Sequence, residues 1–292
     1  MSVTHRSVSA RVLRRVLALV ALLAMPAAAR AQDAPPPPPA AELNLINLPT
    51  TTSLNRHQSY FRLTHRFARD LRRGDFGSLA EDFFSLDNGA VIGLEYRFGV
   101  TSHLQAGVHR SALSKTIQFF GRYDGWRQSE SFPVSISLLG SVEGLANFHQ
   151  NYQPGVGAVI SRAVGTWLSV YAVPTFVAHT RAVDTLSGHE GHDHDLPDSA
   201  DDDHSHHDGT TFIGMGTRVR IRPTVFVSSE YSPRVQGHDP GRGAWGFAIE
   251  KQTAGHTMQL NFTNAFGTTF GQIARGGSTH DIYLGFNLVR RF

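Results

Sequence analysis

The last twelve residues, Asp281-Ile-Tyr-Leu-Gly-Phe-Asn-Leu-Val-Arg-Arg-Phe292, place Ile282, Leu284, Phe286, Leu288 and Phe292 on one parity and Asp281, Tyr283, Gly285, Asn287 and Arg291 on the other. Side chains alternate between the two faces of a strand, so such a segment has one apolar and one polar side. Arg290 breaks the apolar parity, but near a strand end its head can reach water or lipid headgroups. The alternation recurs upstream. Ile92, Leu94, Tyr96 and Phe98 oppose Gly93, Glu95 and Arg97; Met258, Leu260 and Phe262 oppose Gln259, Asn261 and Thr263; Ile213, Met215, Val219 and Ile221 oppose Gly214, Gly216, Arg218 and Arg220. A chain built from such strands must bury their apolar faces in a protein core or in hydrocarbon.

Residues 1–31 favour hydrocarbon, because they read as a secretory signal peptide. Arg6, Arg11, Arg14 and Arg15 precede the apolar stretch Val16 to Met25, and Ala29-Arg30-Ala31 forms a small-x-small cleavage site. No later run reaches the roughly eighteen apolar residues that a membrane-spanning helix needs, which leaves a barrel or a soluble periplasmic β-domain. The signal also carries the basicity of the chain. Five of its 27 Lys and Arg lie in residues 1–31 and none of its 24 Asp and Glu does, so the remainder carries 22 basic against 24 acidic residues. Without a clustered basic surface on the exported part, no nucleic-acid partner is expected. The chain has no cysteine, so disulfides and thiol chemistry are excluded.

Twelve strands are expected, at 59–67, 90–98, 103–110, 115–123, 132–146, 153–162, 167–179, 211–221, 224–231, 245–251, 256–264 and 281–292. The segments 167–179 and 224–231 are ambiguous by alternation. The connections supply an independent argument. Those at 99–102, 124–131, 163–166, 222–223 and 252–255 are short, whereas 68–89, 180–210, 232–244 and 265–280 are mostly long. Short turns alternating with long loops are what an even-stranded outer-membrane barrel requires. The expected fold is therefore all-β: an antiparallel transmembrane β-barrel of about twelve strands with long extracellular loops. Its expected place is the outer membrane of a Gram-negative bacterium, with outer-membrane lipids and, through Phe292, the barrel-assembly machinery as partners. Residues 32–58 form a Pro-rich linker, Pro35 to Pro39, and an N-terminal segment that is a candidate plug or rim; residues 59–292 form the barrel, with a His/Asp-rich loop at 180–210. Residues 75–88 are expected to form a short helix packed on the barrel mouth, and Trp126, Trp167 and Trp245 suit interfacial girdles.

Leu45-Ile-Asn-Leu-Pro-Thr-Thr51, Phe61-Arg-Leu-Thr-His-Arg-Phe67, Gly74-Asp-Phe-Gly-Ser-Leu79, Leu86-Asp-Asn-Gly-Ala-Val-Ile-Gly-Leu-Glu-Tyr-Arg-Phe98 and Lys115-Thr-Ile-Gln-Phe-Phe120 give the chain a family likeness. It resembles a family of uncharacterised bacterial outer-membrane β-barrels known only as a domain of unknown function. The resemblance covers about residues 43–292 and implies barrel fold and outer-membrane location, but it supplies no catalytic or binding residues.

The sharpest chemical signal is the loop from Asp184 to Asp208. His189, His192, His194, His204, His206 and His207 stand there among nine acids, Asp184, Glu190, Asp193, Asp195, Asp198, Asp201, Asp202, Asp203 and Asp208. Imidazole with flanking carboxylate suits Zn, Cu or Ni, so these histidines are the candidate metal ligands; no cofactor is otherwise required. A solvated, coreless loop has the same composition. Arg62, Arg66, Arg97, Arg218 and Arg220 share the polar parity with Glu95, Glu143, Glu230 and Glu250, the candidate lumen charges. Mixed signs suit either a lumen filled by ion pairs or a pore with a transverse field. A barrel of this size can be open, constricted or plugged. Ser and His co-occur at His109 with Ser111 and at His65 near Ser59, but no motif joins nucleophile, base and orienting group, so an enzyme is not expected. The expected role is a passive narrow channel for small or ionic solutes, the alternatives being a non-conducting structural or binding barrel and a membrane-embedded hydrolase.

Overall fold

The computed structural model describes residues 42–82, 89–180, 209–237 and 242–292. The expected signal peptide, the Pro-rich stretch Pro35 to Pro39 and the six loop histidines lie outside these residues.

Among the described residues there are thirteen strands: β1 Ser59–Asp70, β2 Ala90–Gly99, β3 Leu104–Ser111, β4 Thr116–Trp126, β5 Ser135–Gly144, β6 Gln150–Val164, β7 Leu168–Val177, β8 Thr210–Arg222, β9 Val225–Ser232, β10 Arg234–Gln236, β11 Ala244–Thr253, β12 His256–Thr263 and β13 Tyr283–Arg291. Each pairs antiparallel with its sequence neighbour, except that β9 passes beyond the short β10 to pair with β11. The ring closes where β1 meets β13, in the register Thr64 with Asn287. β10 prolongs the outer end of β9 past Pro233 and pairs with β8, so the closed wall is a twelve-stranded antiparallel barrel. Closure leaves no unpaired edge along the wall, the condition for placing strands in hydrocarbon.

Alternation sets the two faces of the wall. Ile92, Leu94 and Tyr96 are 42–44 % exposed, whereas their neighbours Glu95 and Arg97 are buried. In β13, Leu288 and Phe292 face outward with Arg290, whose guanidinium lies 5.0 Å from the Phe292 ring, while Asn287 and Val289 face inward. Trp126 and Trp167 are exposed at one rim, and Trp245 is half-buried at the other. The connections 100–103, 127–134, 165–167, 223–224 and 254–255 share the rim where β1 begins and β13 ends. The longer connections lie on the opposite rim, which identifies it as the outer one.

The two ambiguous segments have a physical explanation. β7 turns Tyr171, Val173 and Val177 inward, so its lumen face is apolar apart from Thr175, and Val170 and Ala172 pack outward with Ile160 and Leu168. β9 puts Phe226 inside, 3.7 Å beneath the Arg218 guanidinium, and turns Ser229 outward to hydrogen-bond Thr217 at 2.8 Å. The helix expected at 75–88 appears as α1, Phe76–Glu81, capped at Asp75, with no buried residue. Arg69 of β1 ties it to the barrel through an ion pair with Asp82.

Candidate functional site

The lumen is the candidate site, and among the described residues two parts of the chain occupy it. Residues 42–54 lie inside, with Leu43, Leu45, Ile46, Leu48 and Leu54 at 0–2 % exposure. The segment folds back on itself, Leu45 N–H donating to Leu48 O at 2.8 Å and Thr50 N–H to Leu43 O at 2.9 Å. Among the described residues it makes no backbone-to-backbone hydrogen bond to a wall strand. Side chains of the wall hold it instead. Glu230 accepts the N–H groups of Ile46, Asn47 and Leu48 at 3.1, 2.9 and 3.0 Å, so one carboxylate fills an anion-binding nest of three successive amides. Arg62 donates to Ile46 O at 3.0 Å, Arg66 to Asn47 Oδ1 at 3.0 Å and Arg97 to Asn44 Oδ1 at 2.7 Å. Arg122 donates to Thr50 O and Thr52 O. Gln259 and Asn287 donate to Leu45 O and Ile46 O at 2.6 and 3.1 Å.

Two glycines make the seat. Gly216 and Gly246 flank Glu230 in register on the neighbouring strands, and a Cβ on either would run into Leu45 or Ile46, at 2.9 Å from Ile46 Cδ1 for Gly246. The wall is thus bare of side chains at the two positions beside Glu230 where Leu45 and Ile46 lie.

The second insert enters from the outer rim. In the connection from β12 to β13, α2, Phe270–Ala274, is wholly buried. Gln272 accepts from the N–H groups of Thr268 and Thr269 and donates to Leu113 O and Thr116 Oγ1, and Gly271 N–H donates to Glu143 at 3.0 Å. Phe270, Ile273 and Ala274 then pack with Leu45 and Leu48 against Leu139, Val159, Tyr171, Val173 and Phe212. The two inserts therefore meet in a small hydrophobic core within the barrel. Full burial of a Leu or Phe is worth roughly 1.5–3 kcal/mol, so this contact is a substantial part of their anchoring.

Between the inserts and the wall, the cavity bordered by Arg62, Arg97, Arg122, His109, Asn44 and Thr268 has a volume of only ≈ 20 Å³, about enough for one water. Larger recesses of ≈ 260 Å³ open at each end, one bordered by Glu42, Gln252 and Arg291, the other by Asn264, Arg275 and Tyr283.

Of the lumen charges read from the sequence, Arg62, Arg66, Glu95, Arg97, Glu143, Arg218, Glu230 and Glu250 are all buried, and Arg220 is half-buried beside Phe226. Arg62 pairs with Glu95 at 2.6 Å, Arg97 shares the same carboxylate, and Arg218 pairs with Glu250 at 2.5 Å. Glu230 holds the insert. Arg66 makes no ion pair among the described residues and meets only carbonyl and amide oxygens of His65, Phe286, Asn287 and Asn47. Sequence reasoning missed Arg122 and its partner Asp124, at 2.9 Å, although both share the inward parity of Gln118. It also missed α2, for which Thr269-x-x-Gln272 ahead of an apolar residue was a readable helix-start signal.

The Ser and His pairs do not assemble. His65 faces outward, stacked on Phe286 at 4.7 Å, while Ser59 bonds Tyr96. His109 approaches Thr268 at 3.3 Å, and Ser111 accepts from Leu113 N–H. The metal-ligand candidates His189, His192, His194, His204, His206 and His207 lie outside the described residues, among which no group of three or more metal-capable side chains occurs.

A closed, twelve-stranded wall with an apolar exterior and a polar interior filled from both ends defines an outer-membrane β-barrel. The chain belongs to the family described as membrane bound beta barrel domain (DUF5777), which matches residues 41–292. No curated protein matches it. Among solved structures it is similar to the Acinetobacter baumannii outer membrane protein Omp33, at 8 % identity and TM-score 0.44 over 81 % of this chain and 98 % of that one. It is also similar to outer membrane phospholipase A from Escherichia coli, at 8 % identity and TM-score 0.40 over 85 % and 95 % of the two chains. A mutant Rh. blastica porin matches at 12 % identity and TM-score 0.34, over 73 % of this chain and 58 % of the porin.

Proposed function

We propose that this outer-membrane barrel is a passive channel for small or ionic solutes, closed at rest by residues 42–54 and by the insert around α2. The carrying observation is that residues 42–54 share no backbone ladder with the wall. Every strand pairing of the ring would survive their withdrawal, whereas a permanent filling built into the sheet could not leave without breaking it. Their polar contacts are hydrogen bonds to wall side chains that water can also satisfy, which leaves the apolar core shared with the second insert as the main cost of withdrawal. The reading includes no catalytic step. Its outer loop, with six histidines at 189–207, is proposed to take up Zn, Cu or Ni at the cell exterior.

A second reading, a non-conducting structural barrel, is favoured by the apolar core that the two inserts share. Planar-bilayer recording separates the two. The full chain is expected to be silent or nearly so, and removal of 42–54, alone or together with shortening of 265–280, to give discrete conductance steps. Silence of both shortened chains, with the barrel folded by its resistance to unheated detergent, would overturn the channel reading.

A further inference from the structure

The insert covers an unusual stretch of wall. At its level β1, β2 and β4 present four buried arginines, Arg62, Arg66, Arg97 and Arg122, against two carboxylates, Glu95 and Asp124. The excess of two positive charges is met by neutral oxygens of the insert: Ile46 O, the Asn44 and Asn47 amide oxygens, Thr50 O and Thr52 O. A neutral carbonyl satisfies a guanidinium N–H but leaves its charge uncompensated. Not every donor is met even so, because Nε of Arg62 and Nε of Arg66 have no hydrogen-bond partner among the described residues. Across the lumen, Arg218 and the half-buried Arg220 balance Glu230 and Glu250, so the facing wall carries no excess charge. The field inside the barrel thus points from the β1–β4 wall towards β9 and β11.

From this we infer that the solutes of the opened channel are anions carrying carboxylate or phosphate groups, which travel along the arginine wall. Residues 42–54 hold the place of that ligand, since their oxygens sit where the oxygens of a passing anion would. The planar guanidinium fork fits both groups bidentately, which a point charge would not. A pore wall lined by arginine raises the local anion concentration and excludes cations of similar size. The inference rests on the channel reading and names its substrate class.

The test uses the conducting variant under a potassium chloride gradient. The sign of the reversal potential should show chloride preferred over potassium, by roughly two- to tenfold in permeability. Arg66→Gln with Arg122→Gln in the same background should bring that ratio to unity or below. Inorganic phosphate added on one side should reduce chloride current in the parent variant and not in the double substitution. A conducting barrel that prefers potassium, or whose selectivity ignores the two substitutions, would overturn the anion assignment and leave the channel reading standing; a barrel that never conducts overturns both. Should deletion of 42–54 prevent folding, a protease site placed across the exposed residues Asn55, Arg56 and His57 allows the segment to be cut after the full chain has folded. The same selectivity is then expected.

Discussion

Replacing Glu230 by Gln should loosen residues 42–54 without disturbing the wall. The carboxylate accepts three amides, and Oε2 alone receives Ile46, Asn47 and Leu48 at 2.9–3.1 Å. A hydrogen bond to a charged acceptor contributes about 1.5–3 kcal/mol, against about 0.5–1.5 for a neutral one. Losing about 1 kcal/mol at each of three bonds, discounted because they share one oxygen, leaves about 2–3 kcal/mol, or roughly 30- to 150-fold in occupancy of the lumen. The absence of native cysteine supplies the assay. Thr64 is 1 % exposed on β1, between Arg62 and Arg66, which both bond the segment, and its hydroxyl has no hydrogen-bond partner among the described residues, so Thr64→Cys places a single thiol on that stretch of wall at little cost. Modification by a water-soluble thiol reagent then reports the fraction of time the segment is out, when withdrawal and return are fast compared with reaction. The rate should rise by the factor above in Glu230→Gln. An unchanged rate, with equal labelling of the two unfolded proteins, would refute the idea that this carboxylate anchors the segment.

Other expectations follow from neighbouring features. Gly216→Leu fills the space now taken by Leu45, and the same thiol should become reactive while the barrel stays folded. Glu250→Ala strands the buried Arg218, and urea unfolding in detergent should show a loss of about 3–5 kcal/mol, more than a surface ion pair would give. At α1, the Asp75 carboxylate accepts from the backbone N–H and hydroxyl of Ser78, which holds its pKa below the ordinary carboxylate value. Its folded pKa lies below its unfolded one, so the cap persists above the unfolded value of about 3.9 and is lost as pH falls through the folded value; protection of the Ser78 amide from hydrogen exchange should drop there. Calorimetric zinc titration of the chain against one lacking 184–208 should show heat only in the former, and the heat should vanish below the ordinary His pKa of about 6.5.

The wall was legible because its physics repeats every two residues: Glu95 and Arg97 between Leu94, Tyr96 and Phe98 can face only one way in a membrane. Loop sorting added the orientation. The interior was less legible, since a lumen-facing residue can be apolar when something packs on it. Tyr171, Val173 and Phe212 face inward because Leu48, Phe270 and Ile273 meet them there, and no period in β7 alone encodes that partner. The segment 42–54 could be singled out as non-loop by its mixed composition, yet plug and rim differ only in long-range contacts such as Ile46 with Glu230. Glu230 was readable as a lumen charge. Its role as an anchor depends on three successive amides converging on it, which is backbone geometry rather than residue type.

The hydrogen bond from Asn287 to Ile46 O joins residues 241 positions apart, and Gln259 reaches Leu45 O across 214. Part of what locks the first described residues in place is thus supplied by the last strands of the chain, and the seam between β1 and β13 joins similarly distant partners. Contacts of such sequence separation form late, because loop closure must precede them. During assembly the half-built sheet therefore offers its arginines and its open edges to water. The finished barrel is the first stage at which the lumen is filled.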